Sequence, residues 1–228
     1  MLRTETCCEN PCFLCRHCLA QWKETILEER RVLHFKKGQP IIREGEKAEG
    51  LYYITAGAVK VHQSWGAGKE FILRFAGAGD VVGYRAQGAA DCSPISVTTL
   101  EATTVCFITN EFVEHIYRAD PSFLYTMMRL YATELRAAEN RMRDLAIMPV
   151  KGRVAASLFT IREVFGMDDR GYTLVPVTRL DIACHAGTTY EAVFRLLSEW
   201  VGKGFVTTEG KKIQISDDAA LRRLTRVD

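Results

Sequence analysis

No apolar stretch of this 228-residue chain approaches the ~18 residues that a membrane-spanning helix needs, and the opening MLRTETCCENPC lacks the apolar core of a secretory signal. A cytoplasmic protein without a membrane partner is expected. There is no charge excess either: 30 basic side chains stand against 28 acidic ones, and residues 151–228 carry 12 against 10. A nucleic-acid role must therefore rest on where the cations stand, not on their number. Histidine is sparse, with His17, His34, His62, His115 and His185 dispersed along the chain. No 2-His-1-carboxylate pattern is spelled out, so a cupin-like metalloenzyme is the remote alternative and the chain is read as non-enzymatic. Lys and Arg are missing between Arg85 and Arg118, and Pro and Gly are missing from 122–148.

What is present is an ordinary globular composition, 47% hydrophobic and 25% charged, with material for a proper core. Of eight cysteines, Cys7, Cys8, Cys12, Cys15 and Cys18 crowd the N-terminus, while Cys92, Cys106 and Cys184 are scattered. In a cytosolic chain such crowding points to metal or redox chemistry more than to disulfides. A short helix is predicted over 18–29. From Val32 to Ile108, short apolar runs (32–35, 41–42, 51–54, 58–62, 71–75, 81–82, 95–100 and 104–108) alternate with glycines, the texture of a β-barrel or jelly roll.

Pro121 opens a long helical pattern that runs to Ile147, where Pro149 stops it. Leu124, Met128, Tyr131, Leu135, Ala138, Met142 and Leu145 follow spacings of 4, 3, 4, 3, 4 and 3, the seam of a two-stranded coiled coil, so a homodimer is expected. Phe123, Met127 and Leu130 form a second stripe suited to packing on the β domain. Lys151 to Phe165 reads as another amphipathic helix after a hinge at Met148-Pro149-Val150.

The stretch VTRLDIACHAGTTYEAVFRLLSEWVGK, 177–203, offers two short helices interrupted by Ala186-Gly187-Thr188, where a tight turn wants permissive φ. Ala192, Val193, Leu196, Leu197 and Trp200 supply the buried stripe of the second helix. This is a helix-turn-helix pattern, whose second helix enters the DNA major groove. The alternation over 205–208 and 212–215 around Glu209-Gly210-Lys211 adds a wing. The fold class is thus α+β: a cysteine-rich segment and short helix (1–30), a double-stranded β-roll sensor (31–120), a coiled-coil dimerisation helix (121–148) and a winged helix-turn-helix (149–228).

This order, with GDVVGY (79–84), LEATTVCFI (100–108), MMRLYATEL (127–135) and TRLDIACHAGTTYEAVFRLL (178–197), resembles the CRP/FNR superfamily of bacterial transcription regulators. The resemblance implies a dimeric sensor with double-stranded DNA and RNA polymerase as partners. It implies Glu191 and Arg195 as base readers of a palindrome with TGA-type half-sites, with Tyr190 beside them where relatives often carry Arg or Val. Glu can accept from cytosine N4 and Arg can donate to guanine O6 and N7. Thr178, Arg179, Thr189, Lys203, Lys211 and Lys212 fall where such a domain meets phosphates.

For the signal, cyclic-nucleotide-binding relatives use a Glu where this chain has Tyr84, and a later Arg for the phosphate where this chain has no cation. Cyclic AMP is therefore not expected. The cysteines resemble the oxygen-sensing branch named for fumarate and nitrate reduction, which implies a [4Fe–4S] cluster on Cys12, Cys15, Cys18 and Cys106. That branch leaves five residues in the last N-terminal spacing and this chain leaves two. Zinc, an unmetallated segment, and haem, nitric oxide or another small ligand stand as alternative readings.

Overall fold

The computed structural model describes residues 12–66, 68–87 and 91–226. The chain divides into two compact units, 1–63 with 76–135 and 64–75 with 136–228. Every apolar run expected as a strand is one: β1 (Arg31–Phe35), β2 (Pro40–Ile42), β3 (Gly50–Ala56), β4 (Ala58–Trp65), β5 (Lys69–Gly77), β6 (Val81–Val82), β7 (Ser96–Thr99) and β8 (Thr103–Thr109). They form two four-stranded sheets, ordered β1-β8-β3-β6 and β2-β7-β4-β5.

The antiparallel register of β3 on β8 sets Leu51 opposite Ile108, Tyr53 opposite Cys106 and Ile54 opposite Val105. Side chains two apart share a face of a strand. Leu51, Tyr53, Cys106 and Ile108 therefore lie on one face, and Ile54 and Val105 on the other; all six are fully buried. Burial on both faces is why LYYI and TVCFI are continuous apolar runs and not alternating ones.

The helices of the first unit cover the Tyr53 face. α1 (Phe13–His17) and α2 (Lys23–Glu29) flank a 3-10 turn at Ala20–Trp22, so the helix expected over 18–29 is split. α3 (Asn110–Ala119) starts at Thr109, whose hydroxyl accepts from Phe112 N, and it precedes α4 (Pro121–Ile147). Leu14, Ile26, Val113, Ile116, Phe123 and Met127 join Leu51, Tyr53, Cys106 and Ile108 in one apolar cluster, with Leu130 packed against it. The second stripe of α4 thus packs as expected. Asp120, buried between α3 and α4, accepts from Phe123 N at 3.0 Å and from Leu19 N at 3.2 Å. It caps the long helix and ties down the N-terminal segment with one carboxylate.

In the second unit, α5 (Val150–Phe165), α6 (Arg179–Ala186) and α7 (Tyr190–Gly202) pack around Val154, Leu158, Ile182, Val193, Leu197 and Trp200. β9 (Val206–Glu209) and β10 (Lys212–Ile215) form the wing, and α8 (Asp218–Leu224) returns to α5 through a bidentate Arg162–Asp218 pair at 2.5 and 2.7 Å. Among the described residues no helix is long and apolar enough to cross a membrane.

Candidate nucleic-acid interface and thiol cluster

The turn between α6 and α7 is set by Gly187, which closes α6 in the left-handed region at φ 61°. A Cβ there would lie 2.7 Å from Leu145 Cδ2, the end of a side chain that would have to shift, and the left-handed φ itself favours glycine. Thr178 caps α6 in a capping box: its hydroxyl accepts from Asp181 N at 3.0 Å while Asp181 accepts from Thr178 N. Thr189 caps α7 by accepting from Ala192 N at 3.2 Å. Both hydroxyls, expected at phosphates, have this local duty as well.

The buried face of α7 is Val193, Leu197 and Trp200, which leaves Glu191 and Arg195 exposed together. Among the described residues no ion pair joins the two, although Arg195 also attracts the Glu199 carboxylate one turn further on. Glu191 lies in the first turn, where the helix dipole favours an anion. Tyr190 and Phe194 are exposed beside them with rings stacked at 6.3 Å, and the Arg179 guanidinium sits over Phe194 at 5.7 Å. Leu180, on the same side of the motif, is also exposed. Thr178, Arg179, Leu180, Tyr190 and Lys211 line one groove between the helices and the wing. Lys203 is held by Glu199 at 2.6 Å and Lys212 by Asp168 at 3.3 Å, whereas Lys211 is exposed at the wing tip.

Two residues that the sequence reading passed over fix the position of α6. Arg153 donates to the carbonyls of Met148, Ala186 and Gly187, which satisfies the C-terminal end of α6 with a cation. Arg141 donates through Nη1 to His185 Nε2 at 2.8 Å and through Nη2 to the carbonyls of Ile72 and His185. Because Arg only donates, His185 Nε2 is the bare nitrogen and Nδ1 carries the proton, donated to Ser157 Oγ at 2.9 Å. Burial, reinforced by the Arg141 charge, holds the His185 imidazole well below its ordinary pKa. Burial also lowers the Arg141 pKa to about 10, against a small opposing pull from Asp144.

The expected metal ligands lie in the first unit; Cys7 and Cys8 fall outside the described residues. Cys12 precedes α1, Cys15 is within it and Cys18 follows it, so a spacing of three brings successive thiols to neighbouring positions around one turn. Cys12 Sγ donates to Cys15 Sγ at 3.4 Å. Cys12 and Cys106 are buried members of the apolar cluster, and Cys15 and Cys18 pack against it. Among the described residues, however, no three His, Cys, Asp or Glu side chains close into a group that could hold a metal ion. Tyr53 faces these thiols. Burial, with Tyr117, Cys12, Cys106 and Cys18 nearby, raises its pKa well above the ordinary value, and its hydroxyl has no hydrogen-bond partner among the described residues.

Along α4, Leu124, Met128, Tyr131, Leu135 and Met142 are exposed, while Ala138 and Leu145 are half-buried. Tyr84 is buried, and its carbonyl accepts from Tyr131 Oη at 2.9 Å. Arg85 is paired with Glu134 at 3.1 Å.

Two family models match this chain: the cyclic nucleotide-binding domain over residues 32–120 and the Crp-like helix-turn-helix domain over 152–224. The chain is 30% identical over 204 residues to the fumarate and nitrate reduction regulatory protein of Escherichia coli (strain K12), covering 88% of this chain and 80% of that protein. It is 27% identical over 203 residues to the CRP-like cAMP-activated global transcriptional regulator of Mycobacterium tuberculosis (strain CDC 1551 / Oshkosh), covering 88% and 91%. The solved structure of FixK2 from Bradyrhizobium japonicum is similar at a TM-score of 0.78 with 25% identity, over 87% of this chain and 98% of that one. Likeness of this extent, running through both the β-roll and the helix-turn-helix, places the chain in the CRP/FNR family as a DNA-binding transcription regulator.

Proposed function

We propose that the chain works as a homodimer on a palindromic operator with TGA-containing half-sites, and adjusts that binding to oxygen or redox state through a [4Fe–4S] cluster held by Cys12, Cys15, Cys18 and Cys106. The observation that carries the sensing half is the gathering of these thiols, from the N-terminal segment and from β8, in and against one apolar cluster. Soft thiolates are the donors iron–sulfur centres use, and apolar surroundings limit solvent access. A single zinc ion needs its donors closed on one point at about 2.3 Å. The four ligands of a cluster bind separate iron atoms. When bound, the cluster would supply a centre that oxygen can degrade.

In this reading residues 31–120 sense, 121–148 relay and 149–228 bind DNA, with RNA polymerase as the further protein partner. Arg195 donates to guanine, Glu191 accepts from cytosine and Tyr190 borders them, while Thr178, Arg179, Thr189, Lys203, Lys211 and Lys212 serve the phosphates. Cyclic AMP is not the proposed signal. The buried Tyr84 offers no carboxylate to a ribose, and Arg85 is already paired with Glu134.

Anaerobic reconstitution with iron and sulfide tests this. The wild type is expected to take up a coloured centre and to bind operator DNA more tightly than the bare protein, and Cys106→Ala to lose both. A wild type that stays colourless removes the cluster and leaves the DNA-binding role standing.

A further inference from the structure

One residue before Glu191 and Arg195 in each turn, Tyr190 and Phe194 form a second outward stripe on α7 at the same spacing of four. Tyr190 is 45% exposed and Phe194 50%, and Leu180 on α6 is 57% exposed. Single exposed apolar side chains are ordinary on a soluble protein, whereas several gathered beside one groove mark a contact surface. The core takes Val193, Leu197 and Trp200 from this helix and has no use for Phe194. Yet the Phe194 ring is braced. It lies 22° from parallel to the Tyr190 ring with centroids 6.3 Å apart, and Arg179 Cζ stands 5.7 Å from its centroid. Tyr190 and Arg179 both line the groove between the helices and the wing. A ring held in this way has little rotamer freedom left to lose on binding. It has no donor or acceptor in the ring plane, so it cannot read the hydrogen-bonding edges that suit Glu191 and Arg195. The apolar group that marks a base in the major groove is the C5 methyl of thymine.

We infer that Phe194, steadied by Tyr190 and Arg179, reads a thymine through its C5 methyl at a base pair beside the one met by Arg195. The inference rests on α7 as the base-reading helix and gives that helix a further specificity-determining residue, of apolar chemistry. Covering one methyl group is worth about fourfold in affinity.

The test takes duplexes that the wild-type full chain selects from a randomised pool. Each thymine is replaced in turn by deoxyuridine, which removes the methyl and leaves every hydrogen-bonding atom in place. Wild type should lose about fourfold in affinity for each half-site altered at one thymine position and stay unchanged at the others. Phe194→Ser should bind the thymine and uracil duplexes equally at that position while keeping its discrimination at the base pairs met by Glu191 and Arg195. Phe194→Leu, which preserves an apolar contact and the fold, should show a reduced uracil penalty. A wild type indifferent to uracil at every thymine overturns the inference, and so does an undiminished penalty in Phe194→Ser or Phe194→Leu; each of these leaves α7 as the reading helix. A wild type that selects no sequence from the pool overturns base reading by α7 and the inference together.

Discussion

Arg195 is exposed on α7 one turn beyond Glu191, and among the described residues no ion pair joins the two. Its side chain has five donors in a planar fork, which suits guanine O6 and N7 together. Arg195→Ala is expected to cost roughly 1–3 kcal/mol of specific binding and to relax discrimination at one base pair. Lys211→Ala should weaken cognate and scrambled DNA equally and reduce the salt slope by about one. Fluorescence anisotropy across a salt series separates the two; equal losses on both DNAs for Arg195→Ala would remove it from base reading. At this scale the outward face of α7 was legible, because the period of Val193, Leu197 and Trp200 fixes what points away. The local duties of the flanking residues were less so. A threonine before a helix can cap it or meet a phosphate, and only the reciprocal bond to Asp181 shows the first for Thr178. The Thr-x-x-Asp spacing was a signal that could have found it. Arg141 and Arg153 left no such mark, since the partners of Arg153 and most of those of Arg141 are backbone carbonyls, which any sequence has, and the one side-chain partner, His185, is 44 residues from Arg141.

Between elements, the joint of α6 and α7 depends on Gly187. Alanine there would hold a left-handed φ at about 1–2 kcal/mol and press on Leu145 Cδ2 at 2.7 Å. Gly204→Ala isolates the conformational part, because Gly204 also has positive φ, 71°, but nothing within 4 Å of its Cβ position. Urea melts should show Gly187→Ala losing more stability than Gly204→Ala; equal losses would mean that Leu145 moves aside freely. His185 links α6 to α5 and titrates in the opposite sense to an ion-paired histidine. Its folded pKa lies below the ordinary 6.5, so the unfolded chain takes the proton first. The stability from the neutral ring is whole above about pH 6.5 and is lost as pH falls below it. Thermal melts from neutral pH down to about pH 5 should fall more steeply for wild type than for His185→Gln. Parallel curves would show that His185 is not the group being protonated. The eight strands and the full length of α4 were legible because periodicity and Pro121 and Pro149 mark them. α3 and α8 were passed over although Thr109 and Asp217 cap them, since short amphipathic helices after a strand look like loop until the caps are weighed.

Over the whole molecule, the order β-roll, long helix and helix-turn-helix was legible, but the surface that a second copy would cover is defined only by exposure. In one chain Leu135 is 61% exposed, Met128 59% and Met142 62%, in a row along α4. Soluble proteins seldom leave so regular an apolar stripe to water. A repeat alternating three and four residues matches a partner helix with the same repeat, which makes a second copy of this chain the natural occupant. Each leucine so covered contributes about 1.5–3 kcal/mol. Leu135→Glu would bring a carboxylate from each copy into the seam without a partner, whereas Leu135→Met keeps volume and polarity. Sedimentation at micromolar concentration should find the Glu variant monomeric and the Met variant dimeric. Because the proposed operator is palindromic, the monomer should retain half-site and non-specific binding but lose the tight binding that two linked readers provide. A Glu variant that stays dimeric places the interface elsewhere, and a monomer with full operator affinity shows that one recognition helix suffices.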